Sequence, residues 1–87
     1  DVASPLGGRA PVDPLSLGEP WLTAHGSRFL ADAEALAKVE RSLATAEVDP
    51  RSYAAVYLVG GVATAWDFPV DPGIRALVES LHAAGRP

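Results

Sequence analysis

The sequence predicts an α/β fold, a doubly wound parallel sheet covered by helices, and three observations carry that prediction. The run Tyr53–Val59 is apolar on both alternating faces. Gly60-Gly61 follows it at once and leads into a helix start. A well-delimited amphipathic helix then occupies the stretch from about Pro72 to Ala84.

In chain order, Asp1-Val2-Ala3 resembles the last residues of a strand. Ser4 to Gly26 is rich in Pro and Gly and shows neither a 2.0 nor a 3.6 residue period, so it reads as a long loop. From Ser27 the pattern changes. Phe29, Leu30, Ala33, Leu36, Ala37 and Leu43 trace a helical stripe, which predicts a helix over about 28–44 with a break near Asp32. Asp49-Pro50 closes this segment as a turn. Tyr53–Val59, with its β-branched and aromatic residues, is expected to be a strand buried on both sides. Val62 to Trp66 begins a short helix that ends before Asp67-Phe68-Pro69. For the last helix Asp71 is a natural N-cap, Pro72 suits the first position and Gly85 the stop. Its buried stripe is expected to be Ile74, Leu77, Val78 and Leu81.

A strand buried on both faces must pair along both edges, because its backbone donors and acceptors cannot be left unsatisfied away from water. Within these 87 residues the only other candidate is the stub at Asp1. Gly85-Arg86-Pro87 has the character of a helix exit that enters a further strand. The chain is therefore expected to be an internal segment of a larger α/β domain, or one chain of a domain divided between two polypeptides, and not to fold stably alone. The first residue, Asp1, and the absence of Met fit a removed amino terminus or a piece of a longer protein.

Composition excludes several function classes. Eleven acidic residues face seven basic ones, for a net charge of −4. No Lys or Arg cluster forms the cationic stripe that would displace counterions from a phosphate backbone, so nucleic acid is not an expected partner. Tyr53–Val59 is the longest apolar run and falls well short of the roughly 18 residues of a membrane helix, so no membrane is expected either. With no Cys in the chain, a disulfide framework, a thiolate zinc site and a cysteine nucleophile would each need residues from elsewhere.

The chemistry legible from the residues alone lies at Gly60-Gly61. Glycines there let the backbone turn sharply at the carboxyl end of a strand, where open α/β sheets place their ligands. Free N–H groups at the following helix start suit an anion or the oxyanion of a tetrahedral intermediate, although a plain turn with no ligand fits the same residues. No G-x-G-x-x-G, phosphate-binding loop or G-x-S-x-G motif is present, so nothing supports a nucleotide fold or a serine hydrolase. His25 lacks a second ligand at metal spacing and reads as loop packing, and His82 reads as a surface residue flanking the last helix's stripe. Tyr57 and Trp66 read as core or pocket wall. Asp32, Glu34 and Glu40 read as a solvated face with no carboxylate pair placed for acid–base work. No cofactor or metal is expected.

The segment Tyr53-Ala-Ala-Val-Tyr-Leu-Val-Gly-Gly-Val-Ala-Thr-Ala-Trp-Asp-Phe-Pro69, followed by a helix and Gly-Arg-Pro87, resembles the ThiJ/PfpI superfamily. These are the class I glutamine amidotransferase-like proteins, and the similarity is to the branch of heat-shock chaperones and glyoxalase III enzymes. That branch reads strand, Gly-Gly-His-Gly, spacer, Trp-Asp-x-Pro, helix, and then a strand ending in Ala-Val-Cys-His-Gly. Ala3-Ser4-Pro5-Leu6-Gly7-Gly8 and Val12-Asp13-Pro14-Leu15-Ser16 are similar to its Ala-Ser-Pro-x-Gly-Gly and Asp-Pro-x-Ser loop, so the resemblance covers nearly the whole chain in order.

The resemblance implies a flavodoxin-like sandwich, with residues 1–87 as part of one domain that lacks its first strand and helix and everything from the nucleophile strand onward. It implies a Cys-His pair beginning a few residues after Pro87, an upstream Glu preceding Asp1, and an oxyanion-hole N–H from Gly61. Gly60 then matches the glycine that permits the turn, while Val62 and Trp66 belong to the turn or pocket. The implied activity is that of a cysteine-dependent hydrolase or lyase, glyoxalase III-like, D-lactate dehydratase-like, deglycase-like or amidase-like, on 2-oxoaldehydes or their adducts. The alternatives are a stress-related holding chaperone and a non-catalytic binding protein of the same fold. Implied partners are a small carbonyl substrate and the polypeptide bearing the Cys-His pair; the resemblance leaves a homodimer open and implies a cytoplasmic location. One departure stands out: Gly60-Gly61-Val62-Ala63 replaces Gly-Gly-His-Gly, so an apolar side chain takes the place of an imidazole that could bond substrate.

Overall fold

The computed structural model covers residues 1–87 and is a small mixed α/β chain. Its elements are β1 (Ala3–Ser4), α1 (Ala24–Ala31), α2 (Ala33–Glu40), β2 (Leu43–Ala44), α3 (Thr64–Asp67) and α4 (Pro72–Ala83). Short 3₁₀ turns occupy Pro14–Leu17, Thr45–Glu47 and Pro50–Ser52. No helix is long and apolar enough to cross a membrane.

The expected break near Asp32 divides the predicted helix into two. The Asp32 carboxylate accepts from the amides of Glu34 and Ala35 at 3.0 Å each, and so opens α2, while its own amide donates to Phe29 O at 3.1 Å and closes α1. The helical reading extended to Ala44 is corrected: α2 ends at Glu40, and Leu43–Ala44 is a strand. The register is Ala3↔Leu43 and Ser4↔Ala44, parallel. Backbone pairing with β1 wins over helical spacing there, reinforced by paired bonds between Gly8 and Ser42 and by the Ser4–Ser42 hydroxyl contact at 2.7 Å. The amino end of α1 also lies earlier than its stripe suggests, because Thr23 caps it by accepting from Gly26 N at 3.2 Å.

Helix α4 matches its sequence signals. Asp71 accepts from Ile74 N at 2.6 Å, Pro72 follows, and the chain leaves through Gly85 at φ +68°. Ile74, Leu77 and Leu81 are buried, whereas Val78, expected in that stripe, is exposed, because only one edge of the helix meets the rest of the chain. Gly73 packs against the Thr45–Glu47 turn. A Cβ there would fall 2.5 Å from Thr45 Oγ1 and 2.7 Å from Ala46 N, so only glycine permits the approach.

The Tyr53–Val59 expectation is corrected in two respects. The segment forms no strand, with a bend at Ala54, and most of it is exposed rather than buried on both faces. Its one backbone bond to another segment runs from Val56 N to Pro87 O at 3.0 Å. No strand pairs along the rest of either edge, and no layer packs closely over the exposed Tyr57, Leu58 and Val59 side chains. Tyr57 and Trp66, read as core or pocket wall, are correspondingly 86% and 74% exposed.

Only six residues of 87 are buried, and the chain exposes 6741 Å². A compact 9.0 kDa monomer exposes about 4,900 Å² by the scaling of surface with mass, so roughly 1,900 Å² is in excess. The radius of gyration, 14.0 Å, likewise exceeds the approximately 12 Å of a compact chain of this length.

Candidate functional site

The glycine turn follows directly on the Tyr53–Val59 ribbon, which is held at its start. Arg86, just past α4, donates one guanidinium nitrogen to Tyr53 O at 3.0 Å and to Pro50 O and Arg51 O at 3.4 Å. Together with the Val56–Pro87 bond, these contacts tie the start of the ribbon to the helix exit. Tyr53 also donates its hydroxyl to the Asp1 carboxylate. Just upstream, Asp49 accepts from the Arg51 guanidinium and amide at 3.0 Å. The Arg51 side-chain bond, then its backbone N–H, holds the Asp49 carboxyl below its ordinary value, and the same carboxylate raises the Arg51 guanidinium. This exposed pair staples the turn into the ribbon and lies away from the glycines in sequence.

At the ribbon's carboxyl end Gly61 adopts φ +146°, a region that side chains rarely occupy. A Cβ at Gly60 or Gly61 would meet nothing within 4 Å, so conformation rather than space calls for glycine at 61. The Gly61 carbonyl is held from one side: Thr64 donates its amide at 3.1 Å and its hydroxyl at 2.6 Å to that oxygen. The Gly61 amide has no protein acceptor and is exposed. Sequence reasoning missed Thr64. A hydroxyl residue three positions after the second glycine, at the first position of α3, was the available signal.

The other predicted site residues are scattered. Val62 is 82% exposed and precedes α3; Trp66 lies on α3 and is also exposed. His25 and His82 are exposed on α1 and α4, and Asp32, Glu34 and Glu40 are exposed around α2, with Glu40 engaged by Arg9 at 3.3 Å. No group of three or more His, Asp or Glu side chains comes together.

The main concavity is a groove of about 440 Å³ between Asp1–Pro5 and Ala55–Val59, floored by Ile74, Leu77 and Leu81 of α4. Tyr57 lines it, but Gly60, Gly61, Val62 and Trp66 do not. The glycine turn therefore stands at the end of an apolar groove rather than within an enclosed pocket. It offers one unpaired N–H donor, that of Gly61, and these 87 residues contain no thiol to place beside it. No family model, curated protein or solved structure matches this chain.

Proposed function

We propose that the chain forms part of a flavodoxin-like domain of the ThiJ/PfpI type and supplies one oxyanion-hole donor, the Gly61 amide, to a cysteine-dependent hydrolase or lyase. The observation that carries this reading is the Gly61 backbone: φ +146°, a carbonyl locked by Thr64, and an amide with no protein partner. A donor whose direction is set before the reaction stabilises developing negative charge without reorganising during the chemical step. The thiolate and its histidine come from polypeptide outside residues 1–87. The thiolate adds to the carbonyl carbon of a 2-oxoaldehyde or its adduct, and the carbonyl oxygen takes up the negative charge opposite Gly61. The roughly 1,900 Å² of excess surface supports the same reading, since covering that much on one side corresponds to about 3,800 Å² in total, the range of large obligate interfaces.

The test is turnover of methylglyoxal by the assembled protein containing this chain. Gly61→Ala keeps the N–H but drives the backbone out of φ +146° and turns the donor away, so thiol-dependent turnover that falls about a hundredfold in kcat supports the reading, the size expected when one oxyanion donor is lost. Absence of thiol-dependent turnover, or indifference to Gly61→Ala, contradicts it. The exposed Val62, Tyr57 and Trp66 favour a second reading, a holding chaperone of the same fold. That reading requires suppression of client aggregation that survives replacement of the thiol.

A further inference from the structure

We propose that the Asp13–Pro14 peptide bond is a self-cleavage site. The Asp13 carboxylate opens its own backbone in mild acid, and Ser16 holds the carbonyl oxygen as it takes up charge. This site is independent of the Gly61 turn.

The tripeptide Val-Asp-Pro occurs three times, at Val12–Pro14, Val48–Pro50 and Val70–Pro72. An aspartate before proline is a weak peptide link in acid for two reasons of bonding. The carboxylate can close a five-membered ring on its own carbonyl carbon, and the tertiary amide nitrogen of proline takes a proton more readily than a secondary one does. All three aspartates cap a helical turn from the same extended backbone, with φ and ψ of −64° and 119° at Asp13, −81° and 109° at Asp49, and −72° and 116° at Asp71. Sequence and backbone therefore match at the three bonds, and only the hydrogen-bond partners differ.

At Asp13 one carboxylate oxygen accepts from Leu15 N at 2.9 Å, which folds the side chain over the following turn, and the other accepts nothing. The carbonyl oxygen accepts twice from Ser16, from the hydroxyl at 2.6 Å and from the amide at 2.9 Å. Two donors on a carbonyl oxygen draw charge from its carbon and stabilise the oxyanion that forms on attack. At Asp49, Arg51 holds both carboxylate oxygens at 3.0 Å, and the carbonyl has only Ser52 N, at 3.1 Å. At Asp71 the carboxylate is committed to Ile74 N and Thr45 Oγ1, and the carbonyl has only Arg75 N, at 3.2 Å. Asp13 alone combines an unpaired nucleophilic oxygen with a doubly held carbonyl. Every residue from Pro11 to Trp21 is exposed and no cation pairs with Asp13, so water reaches the bond and nothing neutralises the carboxylate.

In the cleavage an Asp13 carboxylate oxygen bonds to the Asp13 carbonyl carbon, and the C=O electron pair moves onto the oxygen held by Ser16. That pair returns as the C–N bond breaks, Pro14 N takes a proton from solvent, and a cyclic anhydride is left on Asp13. Water opens the anhydride to two carboxylates, and the protons released replace those taken up by the Pro14 amine.

The experiment holds the assembled protein containing this chain in buffer at about pH 4.5, where aspartates are mostly ionised, and follows fragments by intact mass. The expected result is a cut between Asp13 and Pro14 that is about tenfold or more faster than at Asp49–Pro50 or Asp71–Pro72. In urea, where the three bonds share one environment, that difference is lost. Ser16→Ala slows the cut about tenfold, and Ser16→Thr, which keeps the hydroxyl, preserves it. Asp13→Asn keeps the cap and abolishes the cut. Equal rates at the three bonds without urea overturn the proposal, as does the absence of any cut. A preference for Asp13–Pro14 that persists in urea, or that survives Ser16→Ala, overturns it as well.

Discussion

Thr64 holds the Gly61 carbonyl with two donors, its hydroxyl at 2.6 Å and its amide at 3.1 Å. One residue thereby begins α3 and holds the Gly61–Val62 peptide plane, the one next to the Gly60–Gly61 plane that carries the candidate oxyanion donor. Thr64→Val keeps the shape and removes the hydroxyl bond. The expected outcome is a loss of about 0.5–1.5 kcal/mol in local stability, read as faster amide exchange across Thr64–Asp67 with α4 unchanged.

Gly73 of α4 packs directly against Thr45 and Ala46, where a Cβ would fall 2.5 Å from Thr45 Oγ1 and 2.7 Å from Ala46 N. Gly73→Ala forces a Cβ into Thr45 Oγ1 and the Ala46 amide. Thermal or urea unfolding followed by circular dichroism is expected to show destabilisation by about 1–3 kcal/mol. At an exposed helix position the same change would stabilise instead, so an increase in stability contradicts the packing described.

Asp71 serves two elements at once, accepting from Ile74 N at 2.6 Å and from Thr45 Oγ1 at 2.9 Å. Asp71→Ala is expected to cost about 1–2 kcal/mol, near the upper end for a lost helix cap, because the buried Thr45 hydroxyl loses its closer partner. The same unfolding measurement checks it.

Leu81 and Val78 separate the observed core from the expected stripe. Leu81 is 2% exposed and Val78 38% exposed. Leu81→Ala is expected to speed amide exchange throughout α4, whereas Val78→Ala leaves it nearly unchanged. Comparable effects at the two positions contradict the observed orientation of α4.

Asp49 is the titrating group with a defined sign. Its carboxyl is lowered from an ordinary 3.8, first by the Arg51 side chain and then by the Arg51 amide. A depressed folded value gives a contribution present above 3.8 and lost as pH falls through the folded value. An NMR titration is expected to place the Asp49 midpoint below 3.8, with Arg51→Ala moving it upward. Both groups are exposed, so high salt weakens the effect.

The elements legible in the sequence are those set by local chemistry. Asp71 and Pro72 open α4 and Gly85 closes it, each acting on its immediate neighbours, and Asp32 divides α1 from α2 by capping its own neighbours. Contacts distant in sequence were not legible. Ser42 bonds Gly8 and Ser4, which pulls Leu43 out of a helical stripe and into a strand, and Gly73 meets Thr45 across 28 positions. At the candidate site the paired glycines announced the turn, whereas the Thr64 lock needed coordinates. The burial expected of Tyr53–Val59 depends on layers packed over its faces and strands paired along its edges, and residues 1–87 supply only the Val56–Pro87 backbone bond.

The central claim is that Tyr53–Val59 is an interior strand of a sheet completed by other polypeptide. Amide hydrogen exchange along this ribbon in the assembled protein tests it most directly. The account predicts strong protection on both edges, at Ala55, Tyr57 and Val59 as well as at Ala54, Val56 and Leu58. Fast exchange throughout the ribbon in a fully assembled, active protein would contradict it.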